Sequence, residues 1–165
     1  MLSYSMTDQI AIMENAMSAL IVRDGEGEAL SVLGVNVRFL CRAEDTRRAW
    51  SLMENVIPRD AGPPAHFHAW DEAYYLISGE VEFEIEGERK RVRGGDFVYA
   101  PGGTVHAFRG VSDEPARMLI FDAPAHAEAF FKEIDREVRE MPTDLPKIPA
   151  IGDRHGVNFL AREPA

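Results

Sequence analysis

The chain has 165 residues, 28 of them acidic against 18 basic, for a formal charge of −10. This balance argues against sequence-independent binding to nucleic acid or to an anionic membrane. The length suits one domain with a real core and is too short for two ordinary ones. A lone cysteine, Cys41, rules out a disulfide framework within one chain, and no apolar run reaches the length of a membrane span. With no basic leader at the N-terminus, the expectation is a soluble, cytoplasmic protein.

Residues 1–20 carry Ile10, Met13, Met17 and Leu20 at near-helical spacing. They read as an arm, either exchanged with a second subunit or frayed. Asp24 to Glu28 is a turn by its glycines. Ala29 to Leu40 and Ala49 to Ile57 read as strands separated by the polar turn Ala43 to Arg47. Arg38 would anchor an anionic substrate if it faced inward, and is an ordinary solvent-face cation if it does not.

The stretch from Gly62 to Gly110 holds three of the chain's five histidines. Successive side chains of a strand point to opposite faces, so His66 and His68 share a face and aim two imidazoles at one point. Glu72 joins them if the chain bends at Trp70-Asp71, and His106 comes from a neighbouring strand as a third imidazole. Imidazoles with a carboxylate suit zinc, iron, nickel, cobalt or manganese, and leave two positions open on an octahedral ion. The same four ligands also complete a closed tetrahedral zinc, which would be structural and not catalytic.

After Gly79, Val81, Phe83 and Ile85 alternate with Glu80, Glu82, Glu84 and Glu86. With Gly87-Glu88 as a two-residue turn, Glu86 would pair with Arg89, Glu84 with Arg91, Phe83 with Val92 and Glu82 with Arg93. The glutamate row then reads as a solvated face opposite arginines. Phe97 to Ala100 is a short strand, Pro101 to Gly103 a turn that delivers His106, and Ala116 to Asp122 the final core strand. Pro124 opens a helix whose stripe is Phe130, Phe131, Ile134 and Val138. His126 and His155 are expected at the surface, and the prolines at 142, 146 and 149 indicate an irregular tail. The domain division is thus an arm (1–20), a barrel (21–122) and a helix with tail (123–165) belonging to the same domain.

The spacing His66-x-His68-x3-Glu72-x6-Gly79, followed by Gly95-x5-Pro101-x-Gly103-x2-His106, resembles the two motifs of the cupin superfamily. Gly62 stands four residues before His66 instead of six, and Gly110 takes an asparagine position; neither is a ligand. The resemblance implies an all-β, cupin-type jelly-roll barrel or sandwich with one C-terminal helix packed outside. It also implies one divalent transition metal (Fe, Ni, Mn, Co or Zn) on His66, His68, Glu72 and His106, and a homodimer.

Further segments, among them Asp71 to Tyr75 and His106 to Arg109, are similar to single-domain quercetinase-like cupins. That likeness implies a dioxygenase acting on a small enolic or phenolic, flavonol-like substrate, with Glu72 as both ligand and general base. By alternation Tyr74 shares the Glu72 face and Phe108 the His106 face, which makes both candidates for a substrate pocket. A non-redox isomerase or decarboxylase, and a non-catalytic binding cupin, stay open as alternatives.

Overall fold

The computed structural model describes residues 19–140 and 142–160. Residues 1–18 of the expected arm lie outside them, and its described end, Leu20 with the following Ile21, is exposed. In chain order the strands are β1 (Ala29–Val32), β2 (Val35–Cys41), β3 (Ser51–Ile57), β4 (His66–Phe67), β5 (Asp71–Ser78) and β6 (Glu80–Ile85). There follow β7 (Glu88–Arg93), β8 (Phe97–Ala100), β9 (His106–Gly110), β10 (Ala116–Ala123) and β11 (Asn158–Phe159). They form two antiparallel sheets, β1-β2-β3-β10-β5-β8 and β11-β4-β9-β6-β7. The all-β, two-sheet architecture is as expected.

Alternation explains the packing. Val35, Val37 and Phe39 of β2, Met53 and Ile57 of β3, Tyr74 and Leu76 of β5, and Met118 and Ile120 of β10 are all buried on one face. Val81, Phe83 and Phe108 meet them from the other sheet. Removing such side chains from water stabilises the sandwich by roughly 25 cal/mol per Å². On the outer face of the six-stranded sheet the pattern breaks at Glu54, which is buried between Arg38 and Arg117. Arg38 therefore faces outward, where it also donates to the carbonyls of Arg23 and Glu26.

Three expectations are corrected. The segment 29–40 is a hairpin, not one strand: Leu33 and Gly34 both take positive φ, at 51° and 81°, and turn β1 back on β2. The β6–β7 register differs by two residues, with Glu84 opposite Arg89, Phe83 opposite Lys90 and Glu82 opposite Arg91. The turn is Glu86-Gly87, with φ of 50° and 81°, the double left-handed conformation that a two-residue hairpin turn favours. Glu86 tolerates it because its main-chain N–H donates to the Val105 carbonyl and its carboxylate accepts from the Val105 N–H, at 2.9 and 2.8 Å.

The third correction is the C-terminal region, which holds two helices and not one: α1 (Ala127–Glu137) and α2 (Ile148–His155). Pro124 precedes α1 instead of opening it. The buried Asp122 carboxylate caps that helix by accepting from the N–H groups of His126 and Ala127 at 2.8 and 3.0 Å. Residues expected to be irregular become α2 and β11, and β11 pairs with β4. Gly152 permits this, since a Cβ there would lie 2.4 Å from the Val157 carbonyl oxygen. His126 is exposed at the surface. His155 is half-buried, with Nε2 2.5 Å from the Glu133 carboxylate that also binds Arg154, an ion cluster joining α1 to α2.

Candidate metal centre

Each motif residue reaches the centre by a different route. His66 and His106 lie directly opposite each other on β4 and β9, their rings 4.4 Å apart. After Phe67 the chain leaves the five-stranded sheet, bends at Ala69-Trp70 and enters the other sheet as β5. His68 sits in that crossing and Glu72 just beyond it. The bend is held by the second motif: Gly103 N–H donates to the His68 carbonyl at 2.7 Å, and Gly102 N–H to Asp71 Oδ1 at 2.8 Å. A Cβ on Gly102 would come within 2.2 Å of the Ala69 carbonyl oxygen, so the turn needs glycine there.

All four side chains are buried, between 1% and 8% exposed. The Nδ1 atoms of His66, His68 and His106 lie 2.9, 3.0 and 2.9 Å from the carbonyl oxygens of Pro64, Trp70 and Thr104. A carbonyl only accepts, so each Nδ1 carries the hydrogen, and Nε2 is the ring nitrogen left to take a ligand. Second partners of this kind fix tautomer and ring orientation in metal sites. One ligand nitrogen from each ring lies within 4.8 Å of the other two. The Nε2 atoms of His68 and His106 are buried without a hydrogen-bond partner, although Glu72 oxygens stand 3.5 and 3.4 Å away. Orphaned buried acceptors are costly, and a divalent cation satisfies both. The residues fit a metal.

Glu72 is placed against His68 and His106. Tyr74 hydroxyl donates to its Oε2, and Trp70 Nε1 to its Oε1 at 3.4 Å. Burial works to raise its pKa, but the two histidines outweigh burial and hold the carboxyl well below its ordinary value. Burial, aided by the neighbouring His106, lowers His66 to about 4. Burial also acts to lower His106, yet the Glu72 carboxylate beside it raises it on balance. Burial and Glu72 push Tyr74 well above the usual phenol range, so its hydroxyl stays protonated.

A cavity of about 50 Å³ adjoins the centre, lined by His66, His68, Glu72 and Phe108 and roofed by the C-terminal region through Phe130, Val157 and Phe159. Leu33, Pro63, Phe108 and Phe159 also border an outer groove of about 940 Å³. Tyr74 is not part of the cavity wall; its ring packs among Phe83, Phe108 and His106 while its hydroxyl serves Glu72. Two contributors escaped the sequence reading. Trp70 stacks on the His68 ring at 4.0 Å, and Asn55 of β3 lines the same cavity. Parity with Met53 and Ile57 was the available signal for Asn55.

Residues 52–122 match the family model described as the cupin domain. Quercetin 2,3-dioxygenase of Bacillus subtilis is 23% identical over 115 residues, 69% of this chain and 34% of that protein. Dimethylsulfoniopropionate lyase DddQ of Ruegeria pomeroyi is 41% identical over 73 residues, 42% of this chain and 36% of that protein. A predicted oxalate decarboxylase from Thermotoga maritima, 21% identical, superposes with a TM-score of 0.59 over 64% of this chain and 99% of its own. That last likeness bears on the fold alone, and the two-sheet β-sandwich is shared. The chain spans about half the length of the curated relatives it matches. The names attached to these relatives cover several reactions, and quercetinase is one distant relative among them. No helix among the described residues is long and apolar enough to cross a membrane.

Proposed function

We propose that this cupin is a metal-dependent dioxygenase of a small enolic or phenolic compound. The observation that carries the metal reading is the set of three buried imidazoles whose Nδ1–H groups are tied to carbonyls and which each bring one ring nitrogen within 4.8 Å of the others. His66, His68 and His106 would hold the ion, with Glu72 beside them as fourth ligand or base. When bound, a divalent transition metal supplies Lewis acidity and, if redox-active, electrons for dioxygen chemistry.

The protein's own part is proton handling and enclosure. Glu72 is ionised and held still by Tyr74 and Trp70, so its carboxylate is placed to accept a hydroxyl proton from a substrate in the cavity. Phe108, Phe130 and Val157 give that cavity apolar walls that exclude water. Its volume of about 50 Å³ is far below the roughly 300–1,000 Å³ of pockets that enclose drug-sized ligands. This favours a compact substrate over a three-ring flavonol.

Elemental analysis of wild type beside the triple variant His66→Ala, His68→Ala, His106→Ala is the first test. The expected result is near-stoichiometric iron, nickel, manganese, cobalt or zinc that disappears in the variant. Wild type that carries no metal and takes none up refutes the reading. Glu72→Gln is expected to keep metal on the three histidines and lose turnover; full metal and full turnover would remove Glu72 from the role of base.

A second reading, a non-redox lyase or isomerase, is favoured by the Tyr74–Glu72 pair. With the Tyr74 hydroxyl holding it in place, the Glu72 carboxylate can take a proton from one substrate position and return it at another without an oxidant. Dioxygen consumption during turnover separates the two: uptake matching substrate loss supports the dioxygenase, and turnover in its absence supports the second reading.

A further inference from the structure

Among the described residues, three buried side-chain polar atoms have no hydrogen-bond partner: His68 Nε2, His106 Nε2 and Asn55 Nδ2. The first two belong to the metal centre. Asn55 does not, and it needs its own account. It lies on the inner face of β3, 2% exposed, with Met53 and Ile57 two positions to either side, both fully buried. An apolar residue would fill that place without leaving an amide donor unmet. The other buried polar side chains of the same sheet have partners: Ser51 with Asp122, and Glu54 with two arginines.

Asn55 lines the cavity that His66, His68 and Glu72 line, and most of the remaining wall is apolar. Two of its lining side chains, Glu72 and Asn55, have opposite hydrogen-bonding sense. Glu72 offers carboxylate oxygens, which accept; Asn55 offers an amide N–H that has nothing to give to.

Resting on the metal-centre reading above, we infer that Asn55 is a substrate-positioning residue: its amide donates to the carbonyl oxygen of a small hydroxy-carbonyl ligand whose hydroxyl faces Glu72. The ligand class follows from that polarity. A molecule with an O–H and a C=O on neighbouring atoms, such as the enol of a 1,2-diketone or a hydroxamic acid, satisfies both groups at once. A simple hydrocarbon leaves both unmet, and a ligand with two donors leaves Asn55 unmet. The small apolar cavity limits the rest of the molecule to a short alkyl group.

The test uses Asn55→Leu, which fills the space without a donor, and Asn55→Ala, which cannot clash. The probe is acetohydroxamic acid, which carries a hydroxyl and a carbonyl on neighbouring atoms and one methyl group. Zinc content, calorimetric affinity of the zinc-loaded proteins for the probe, and ligand-free melting temperature are measured for wild type and both variants. The expected result is equal zinc in all three, at least tenfold weaker probe binding in both variants, and an Asn55→Leu melt no lower than that of wild type.

Equal affinities overturn the assignment. So does an Asn55→Leu melt several degrees lower with affinity unchanged, which places the amide in the fold, met by water. Zinc-loaded wild type that does not bind the probe overturns the ligand class. Wild type that takes up no zinc refutes the metal centre alone. The melting comparison still decides Asn55 in that case, because an unpartnered donor predicts no loss of stability in Asn55→Leu with or without metal.

Discussion

Glu54 and Glu72 are both buried glutamates of the six-stranded sheet, 6% and 7% exposed, one on its outer face and one on its inner face. Glu54 has two guanidinium groups against it, from Arg38 and Arg117, and that pairing meets its charge within the chain. Glu72 is ionised with a neutral phenol and an indole for donors, beside two imidazole nitrogens that bond to nothing. The outer cluster is complete as it stands. The inner cluster is not, and the difference separates a structural ion cluster from a candidate binding site.

Metal separates them most. Zinc at a thousandfold excess over its Kd stabilises a folded protein by about 4 kcal/mol. Wild type and Glu54→Gln are expected to gain melting temperature with zinc and lose it with a chelator, whereas His66→Ala, His68→Ala and His106→Ala gain little. A zinc response unchanged in the single histidine variants would place the ion elsewhere.

Acid should weaken the metal-free inner cluster next. His66 has its pKa lowered to about 4 in the fold, from an ordinary imidazole value of 6.5, so between those pH values the unfolded chain binds the proton and the fold does not. Stability contributed by a neutral His66 is therefore lost as pH falls from 6.5 to 4, by at most about 1.4 kcal/mol per pH unit. The raised pKa of His106 works in the opposite direction. His66→Gln is expected to flatten this part of the stability–pH curve; a slope equal to wild type would mean that His66 is not the group responsible.

The outer cluster has its own signature. Glu54→Gln removes charge-assisted hydrogen bonds worth about 1.5–3 kcal/mol, read by denaturant unfolding, with no change in metal content. Arg38 leads the lowering of the Glu54 pKa, so this contribution holds above pH 4.5 and is lost as pH falls below it through the folded value. The smallest effect belongs to the β6–β7 hairpin, where Arg89 is an exposed partner of Glu84; Arg89→Ala should cost less than about 0.5 kcal/mol. A larger loss would mean that the hairpin packs against something in solution.

The ligand candidates were legible in the sequence because a two-residue period and the motif spacing make local claims. His66 and His68 need one face of one short segment, and His106 needs one neighbouring strand. What escaped depends on contacts between distant segments. The hairpin register slipped because Glu86 takes a left-handed conformation that only its bonds to Val105 explain. Tyr74 was placed on the correct face, yet its hydroxyl goes to Glu72 and not to the cavity. Asn55 gave no more than parity with apolar neighbours, and its missing partner becomes visible only once the facing sheet is in place.

The pairing of β11 with β4 has a consequence for assembly. His66 lies on a two-residue strand set between β9 and a segment from far downstream, Asn158–Phe159. Contacts so distant in sequence close slowly during folding. Until β11 docks, β4 has an open edge and the cavity lacks the part of its roof supplied by Phe159. Release of β11 would therefore open the histidines to an ion from that side.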